Sequence, residues 1–471
     1  MVQAGRAPAR VAYPAAVTKK KFDLLLVGTG SGNSILTPEL DDWSVAIVEK
    51  DAFGGTCLNR GCIPTKMFVY VADLVEAIRH GDRLGVHAEP GSVRWREVRD
   101  RVFGRIDPIA TGGEDYRTNR CPNVTVFRGT GRFVGTHSVS VNGEVIEAKH
   151  VVIAAGARPM IPAIPGLAES GFHTSDTIMR IDEVPKRLAI LGGGFIACEM
   201  AHVFEAFGST VSIINRGPEL LRAEDHEVRA RFLEIARSRF DVRVSENVLG
   251  VRRSASGTRL LLEHSDDIEA DAILVATGRI PNSDELDLAA AGFNLTTDGR
   301  VVVDAHQQTS VHNVYALGDI SSPYQLKHVA NHESRVVAHN LAHPLRRIES
   351  DHRAVPHAVF GSPQVASVGL TEEQARSAGH DVIVSTRPYG DTAYGWAMED
   401  RNGFCKVVAD RSGRLLLGAH IIGPNASMLI QQLVQGMVFG QTVDEMARGQ
   451  YYIHPALSEV VENALLGLPE A

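Results

Sequence analysis

Two segments of the chain repeat one order of features: an apolar strand, a glycine-rich turn leading into a helix, and a second apolar strand. They cover residues 22–49 and 188–215, so the two turns lie about 160 residues apart. Glycines in such a turn let backbone N–H groups approach a pyrophosphate. One unit alone would be weak support, but two predict an α/β fold with two Rossmann-like dinucleotide-binding domains. The turn residues expected at the nucleotides are Gly28, Gly30, Gly32, Gly192, Gly194, Phe195 and Ile196.

The residues that end the second strand of each unit differ in charge. Glu49 ends it in the first unit, where a carboxylate can accept hydrogen bonds from the ribose of FAD or NAD. The second unit has neutral Asn215 there, followed by Arg216 and Arg222. Guanidinium groups can bind a 2′-phosphate that a carboxylate would repel. This favours NADPH at the second site; the alternative is that both arginines are ordinary surface residues of a loop.

Three further apolar strands end in turns that can face a cofactor. Their patterns are typical of buried parallel strands, which run up to Ala155, Ala276 and Leu317. Cofactors dock at the carboxyl edge of doubly wound sheets. We therefore expect Asp319 to hold a ribityl hydroxyl, unless it is a plain turn residue. The residues expected near the cofactors at these strand ends are Ala155, Gly156, Thr277, Gly278, Arg279, Gly318 and Asp319.

From about residue 351 the pattern changes to short strands followed by helices, which is typical of a separate α+β domain with an interface role. The expected division is a disordered leader (1–20), an FAD-binding domain (21–155 and 283–350), an NADPH-binding domain (156–282) and the interface domain (351–471). The net charge of −8 includes no long run of either sign, which argues against a nucleic-acid ligand. No apolar stretch approaches the about 18 residues of a membrane span.

Cys57 and Cys62 are separated by four residues. Residues five apart in an ideal α-helix have Cα atoms roughly 8.6 Å apart, whereas a disulfide requires less than about 7 Å. A bond between these two cysteines therefore requires an irregular backbone, which Gly61 and Pro64 can supply. A strained, accessible disulfide would be a redox device rather than a structural crosslink. The five cysteines of the chain favour a reducing, cytoplasmic compartment and show no metal-site spacing.

From about residue 21 to its end the chain resembles the pyridine nucleotide–disulfide oxidoreductases, the family of glutathione reductase, dihydrolipoamide dehydrogenase and mercuric reductase. The cysteine motif, both glycine turns, the strands ending in Ala-Thr-Gly-Arg and Leu-Gly-Asp, and a C-terminal His-Pro carry this resemblance. Longer strings make it strongest to the mycothione reductase branch. These strings are residues 28–34, 66–70, 101–108, 326–332, 394–400 and 447–451. Arg60 departs from that branch, which commonly has valine there.

The resemblance implies that NADPH reduces a bound FAD, which passes electrons to a Cys57–Cys62 disulfide. Cys62 would face the flavin, and Cys57 would attack the substrate disulfide, mycothione, in a step that requires a thiolate. A Lys66–Glu199 ion pair would modulate hydride acceptance, and Phe195 would cover the nicotinamide pocket. The expected cofactor contacts also include Gly55 and Thr56.

A C-terminal His454-Pro455 is followed by Glu459, five residues after the histidine. The resemblance implies that His454 protonates the leaving thiol while Glu459 orients the imidazole. The family uses this pair across a two-fold interface, which implies a homodimer with composite active sites, and Pro455 is expected to follow a cis bond. Three alternatives remain: dihydrolipoamide dehydrogenase, which predicts NAD and a carboxylate at position 215, a glutathione reductase-like enzyme, and a redox-sensing flavoprotein scaffold without turnover.

Overall fold

The computed structural model describes residues 19–254 and 257–470. A seven-stranded sheet, mostly parallel in its centre, forms around the first glycine turn. Its inner strands are buried on both faces, as the continuous apolar runs predict. The elements of this part are β1 (Lys19–Val27), β2 (Val45–Glu49), α1 (Gly55–Asn59), α2 (Cys62–Arg79), α3 (Trp95–Asn119), β3 (Val124–Arg128), β4 (Arg132–Gly135), β5 (Ser138–Val141) and β6 (Glu144–Ile153).

The first strand starts two residues inside the segment that we expected to be a disordered leader. Lys19 and Lys20 belong to β1 and pair with β6. Their ammonium groups lie 3.5 Å and 2.9 Å from carboxylate oxygens of Glu147 and Glu144, respectively. The basic residues are therefore cross-strand partners of acidic ones. The rest of the expected leader, residues 1–18, lies outside the described residues.

The helix expected after the first glycine turn is not an α-helix. The structure has two short 3₁₀ segments instead, Ser31–Ile35 and Pro38–Leu40. Pro38 lacks an N–H group, and its ring would clash with the carbonyl of Ser34 in a continuous helix. The first unit therefore presents backbone N–H groups from a tight turn, without the dipole of a long helix.

The second glycine turn does lead into an α-helix and belongs to a four-stranded parallel sheet with the order β10-β9-β8-β14. A two-stranded ladder of β7 and β15 lies where the chain enters and leaves this part. The elements are β7 (Ala157–Pro159), β8 (Arg187–Leu191), α4 (Phe195–Ala206), β9 (Thr210–Asn215), α5 (His226–Arg239), β10 (Asp241–Val244), β11 (Val248–Ser254), β12 (Gly257–Leu262), β13 (Ile268–Ala270), β14 (Ala272–Val275) and β15 (Arg279–Pro281).

The chain then returns to the first sheet, where β16 (Val314–Ala316) pairs in parallel with β6 before α6 (Lys327–Ala342). The C-terminal part forms a five-stranded antiparallel sheet with helices, in agreement with the short strands and helices expected from about residue 351. Its elements are β17 (Pro356–Val359), β18 (Val365–Gly369), α7 (Glu372–Ser377), β19 (Val382–Pro388), α8 (Ala393–Ala397), β20 (Phe404–Asp410), β21 (Leu416–Ile422), α9 (Ala426–Phe439), α10 (Val443–Arg448) and α11 (Ser458–Leu466). The limits of the functional domains remain a prediction.

An aromatic cluster fixes α2 and α3 against α4. The rings of Phe68 and Trp95 stack with centroids 5.0 Å apart, and Phe204 lies 5.7 Å from Trp95. All three side chains are buried. The cluster thereby holds the start of α2, with Cys62, in a fixed position relative to the helix that comes after the second glycine turn. Within the described ranges, no helix is both long and apolar enough to cross a bilayer.

Candidate active site

One cavity of about 1370 Å³ is lined by both glycine turns, the cysteine motif and parts of the C-terminal sheet. It brings together most of the residues that the sequence singled out. Those that line it are Gly28, Gly30, Glu49, Gly55, Thr56, Cys57, Cys62, Lys66, Ala155, Gly156, Gly194, Phe195, Ile196, Glu199, Arg222, Arg279, Gly318 and Asp319. A cavity of this size, bounded by two dinucleotide-binding turns, is large enough for two nucleotide cofactors that meet at the cysteines.

Six of the predicted cofactor residues do not line this cavity. Two of them are glycines with a packing role: a Cβ on Gly32 would lie 2.6 Å from the Cβ of Ala154, and one on Gly192 would collide with the carbonyl of Ala276. At both positions the close packing of the turn leaves no room for a side chain. The full set outside the lining is Gly32, Gly192, Asn215, Arg216, Thr277 and Gly278.

The first turn can accept an adenosine ribose. The buried Glu49 carboxylate accepts hydrogen bonds from the N–H and hydroxyl of Thr29, at 2.8 Å and 2.7 Å, and from the N–H of Asp51 at 2.8 Å. Those bonds fix its orientation at the cavity wall, and its oxygens keep lone pairs for a ribose hydroxyl. Gly28 has φ +99° and its Cβ would lie 2.5 Å from the Ala154 carbonyl oxygen, so this turn requires glycine.

The second unit has the neutral Asn215 at the strand end where the first unit has Glu49. The Asn215 side chain donates to the carbonyls of Gly217 and Glu219, at 3.0 Å and 2.8 Å, and so shapes the loop. Arg216 and Arg222 are exposed, and neither forms an ion pair with another residue in the part of the chain that the structure describes. Both guanidinium groups are therefore available to an anion, although only Arg222 lines the cavity.

The backbone between the two cysteines is irregular, as their spacing requires. Helix α1 ends at Asn59, and α2 begins at Cys62 after Gly61, which has φ −135° and ψ −116°. This break brings the two thiols, which are free in the structure, close enough for each to shift the pKa of the other. Pro64 does not contribute to the break, because it lies within the first turn of α2, where a missing N–H costs nothing.

The two thiols differ in acidity. The hydrogen bond from Cys57, together with the nearby Lys66 and Lys327 ammonium groups, lowers the pKa of Cys62 to about 7 against the effect of burial. The same hydrogen bond, together with burial, raises the pKa of Cys57. Between the two sulfurs, the first negative charge therefore belongs to Cys62, which is also the N-terminal residue of α2.

Lys66 and Glu199 form the expected ion pair, with Nζ 2.6 Å from Oε1. Glu199 is almost fully buried, and the same oxygen accepts the N–H of Phe360 at 2.9 Å. The Lys66 ammonium also lies 4.5 Å from the centre of the Phe360 ring. The pair thus joins α2, α4 and the C-terminal sheet at the wall of the cavity.

His454 and Glu459 form a hydrogen-bonded pair, with Nδ1 2.7 Å from Oε1. The bond to His454 lowers the pKa of Glu459, and the His454–Pro455 peptide bond is cis, as expected. The His454 side chain is 71% exposed and is not among the described residues that line the cavity. The imidazole is therefore held by Glu459 and lies outside the lining of the cavity that contains the cysteines of its own chain.

Comparison with known proteins agrees with this arrangement. The model of the pyridine nucleotide-disulphide oxidoreductase family matches residues 22–338, and the dimerisation domain of the same family matches residues 355–465. The chain belongs to this family. The fold class and family predicted from the sequence are thereby confirmed, and the chain is an oxidoreductase.

Several members of the family are similar over nearly the full chain. Mycothione reductase from Mycobacterium tuberculosis is 53% identical over 460 residues, covering 95% of this chain and 99% of that protein. Dihydrolipoyl dehydrogenase from Chlamydia trachomatis is 33% identical over 457 residues, covering 95% and 97%. The structure of the HOCl-induced flavoprotein disulfide reductase RclA from Escherichia coli matches with a TM-score of 0.83 at 28% identity, covering 94% and 99%.

Arg60, which departs from the pattern of the mycothione reductase branch, does not leave an uncompensated charge beside the cysteines. Its guanidinium group pairs with Asp51 and lies 3.4 Å from Asp176. Both carboxylates raise the pKa of Arg60 against the effect of burial. The side chain therefore connects the cysteine loop to two neighbouring loops.

Lys327 lines the cavity, and Glu333 contacts Gly318, which also lines it; the sequence analysis singled out neither residue. Lys327 is the first residue of α6, and its ammonium group donates to the Ser31 hydroxyl at 2.9 Å in the first glycine turn. Glu333 accepts the N–H of Gly318 at 2.7 Å, and burial raises its pKa to about 7. Lys327 belongs to the string of residues 326–332 that carries part of the resemblance, but that string does not reveal a partner 296 residues away.

A second groove, of about 1020 Å³, opens between α2 and α3. Cys62 and Lys66 line both this groove and the main cavity, whereas Cys57 lines only the main cavity. The cysteine pair therefore lies at the boundary between the two spaces. The other residues that line the groove are Ile63, Met67, Tyr70, Asp100, Arg101, Gly104 and Arg105.

Proposed function

We propose that this protein is an NADPH-dependent, FAD-containing disulfide reductase that reduces mycothione. The observation that carries this proposal is the 53% identity to a mycothione reductase over 95% of the chain, against 33% for a dihydrolipoyl dehydrogenase over the same share. The cavity supports it, because Cys57 and Cys62 line the same space as the two glycine turns. Arg222 and the neutral Asn215 favour NADPH over NADH at the second turn.

Within this proposal, the cofactors supply hydride and electron transfer to the cysteine pair, and the chain supplies the thiol chemistry. Cys57 Sγ attacks one sulfur of the substrate, so that the substrate S–S bond breaks and a mixed disulfide forms. Because the pKa of Cys57 is raised, this step requires a base. The Cys62 thiolate then attacks Cys57 Sγ, which releases the second product thiol and restores the Cys57–Cys62 disulfide.

We propose that the base and acid for these steps is His454 of the partner subunit in a homodimer. The support is the match of residues 355–465 to a dimerisation domain and the exposure of the imidazole away from its own cavity. Tyr451 and Ile453, directly before it, are also exposed apolar residues, at 104% and 75%. Glu459 would stabilise the imidazolium that forms when His454 takes the proton of Cys57 and gives it to the leaving thiol.

Steady-state oxidation of NADPH by the purified holoenzyme tests the substrate. We expect kcat/KM for mycothione to exceed that for glutathione disulfide and lipoamide by about tenfold or more, equivalent to ~1.4 kcal/mol of transition-state discrimination. Preference for the lipoamide couple with NAD would instead indicate a dihydrolipoamide dehydrogenase.

Failure to form a thiolate–flavin charge-transfer band on addition of NADPH would indicate a redox-sensing scaffold. We also propose a cytoplasmic location, the compartment in which protein thiols are kept reduced.

A further inference from the structure

The loop between β9 and α5 carries Arg222 and ends in two buried carboxylates. Glu224 and Asp225 are 3% and 1% exposed, whereas Arg222 is exposed at the cavity wall. At the start of this stretch the N–H of Leu221 donates to the carbonyl of Gly193 at 2.8 Å, which ties the loop to the second glycine turn. Arg222 therefore lies between one anchor on the nucleotide turn and a second anchor formed by the two acids.

The second anchor is provided by the C-terminal sheet. Glu224 accepts hydrogen bonds from His357 Nε2 at 2.7 Å and from the hydroxyl of Ser367 at 2.6 Å. Asp225 accepts a hydrogen bond from the ammonium group of Lys406 at 2.9 Å. These partners lie in β17, β18 and β20, separated from the loop by 133 to 181 residues. The part of the chain that matches the dimerisation domain thus holds the loop.

The carboxylates of Glu224 and Asp225 differ in their hydrogen-bond partners. Asp225 is also the N-cap of α5, where it accepts the N–H of Glu227 at 3.1 Å, so its loss would disturb the helix itself. The side chain of Glu224 hydrogen-bonds only to the C-terminal sheet among the described residues. Burial alone would raise the pKa of Glu224, but His357 and Ser367 lower it overall. Glu224 is therefore an ionised carboxylate that links the loop to the C-terminal sheet, and its partners His357 and Ser367 stabilise its charge.

We propose that Glu224, held by His357 and Ser367, positions Arg222 for the 2′-phosphate of NADPH. The C-terminal sheet then contributes to nucleotide selectivity through its hold on the Arg222 loop, and Glu224 is a positioning residue. The compensation by His357 matters, because an uncompensated carboxylate two residues from Arg222 would repel the phosphate. This inference rests on the proposed use of NADPH.

Binding of adenosine 2′,5′-bisphosphate and of AMP to the oxidised holoenzyme, measured by titration calorimetry, tests the proposal. Arg222→Ala should lower the affinity for the bisphosphate about 10-fold or more, because a charge-assisted hydrogen bond is lost. Glu224→Ala should lower the affinity for the bisphosphate several-fold and leave the affinity for AMP unchanged. In a double-mutant cycle, Glu224→Ala should have no further effect in the Arg222→Ala background. Glu234→Ala, which changes an exposed glutamate of α5, is the matched control.

Two results would overturn the positioning role alone. One is an equal loss of affinity for AMP and for the bisphosphate in Glu224→Ala. The other is a loss of affinity on Glu224→Ala that is as large in the Arg222→Ala background as in the wild type. An Arg222→Ala variant that binds the bisphosphate normally would overturn the proposed NADPH site itself, so the two failures are distinguishable. If Glu224→Ala does not fold, Ser367→Ala removes one of the two tethers and should weaken the bisphosphate selectively. Circular dichroism melting of each variant checks the fold.

Discussion

At the scale of single residues, Cys57 and Cys62 differ in environment although they are only five positions apart. We expect Cys57→Ser to lower disulfide turnover by about 10³-fold or more, because the attacking sulfur is lost. Reduction of the bound flavin by NADPH should remain, since Cys57 takes no part in the proposed hydride transfer. Steady-state and stopped-flow absorbance measure the two steps, with Cys121→Ser as the control. Retained turnover would contradict the role of Cys57.

The acidity of Cys62 gives a second prediction at the residue scale. In anaerobically reduced protein, alkylation of Cys62 by iodoacetamide should have its midpoint near pH 7, as the lowered pKa of about 7 predicts. The thiolate is the reactive form, so reactivity is lost as the pH falls through this pKa. Lys327→Met removes a cation that favours the thiolate and should move the midpoint upward by up to about one pH unit. Mass spectrometry of the Cys62 peptide measures the extent of alkylation.

The control for this prediction is Lys149→Met, which changes an exposed lysine that pairs with Asp23. It should leave the alkylation midpoint unchanged. A midpoint that stays constant or falls in Lys327→Met would show that this ammonium group does not act on the cysteine pair.

The sequence predicted the residues of the site where a short pattern or a family motif contains them. Cys57 and Cys62 belong to one motif, and His454 and Glu459 to another. Glu224 and Lys327 were missed because their partners are far along the chain, 133 and 296 residues away. Such contacts depend on how three sheets meet, which no local pattern encodes.

At the scale of elements, both glycine turns are confirmed, but the segments that come directly after them differ. The second turn leads into α4, whereas Pro38 limits the first to short 3₁₀ segments. The same backbone crowding recurs at Gly28 and Gly192, where an added Cβ would meet a carbonyl oxygen of the neighbouring strand end. The close approach of strand and turn is therefore the shared feature of the two units, and the helix is not.

We expect Gly28→Ala to lower thermal stability and the retention of FAD. The residue has φ +99°, and a left-handed backbone at a non-glycine residue costs about 1–3 kcal/mol. The Cβ would also lie 2.5 Å from the Ala154 carbonyl oxygen, which must then move. Flavin absorbance after gel filtration and the melting temperature are the measurements.

Gly112→Ala is a matched control for this substitution. It lies within α3, and a Cβ there meets nothing within 4 Å. Alanine should stabilise this helix by about 0.5–1 kcal/mol relative to glycine. A Gly28→Ala protein that keeps its flavin and its melting temperature would show that the turn tolerates a side chain.

At the scale of the whole molecule, the thiols and the acid–base pair of the proposed reaction lie in different parts of the chain. The cysteine pair lines a cavity formed by three parts of one chain, whereas His454, held by Glu459, is exposed on the C-terminal part and does not line that cavity. Thiol exchange at the cysteines requires an acid–base group near the two sulfurs. A two-fold dimer that brings the pair of one subunit to the cysteines of the other resolves this separation.

Mixed dimers test this arrangement directly. Cys57→Ser and His454→Gln homodimers should each be nearly inactive in disulfide turnover, because every site lacks one essential group. If the subunits are mixed by denaturation and refolding, about half of the dimers are mixed, and each mixed dimer has one intact composite site, which predicts about a quarter of wild-type turnover. If the histidine instead served its own chain, the His454→Gln subunit would be inactive, the Cys57→Ser subunit would be inactive, and mixing would restore nothing.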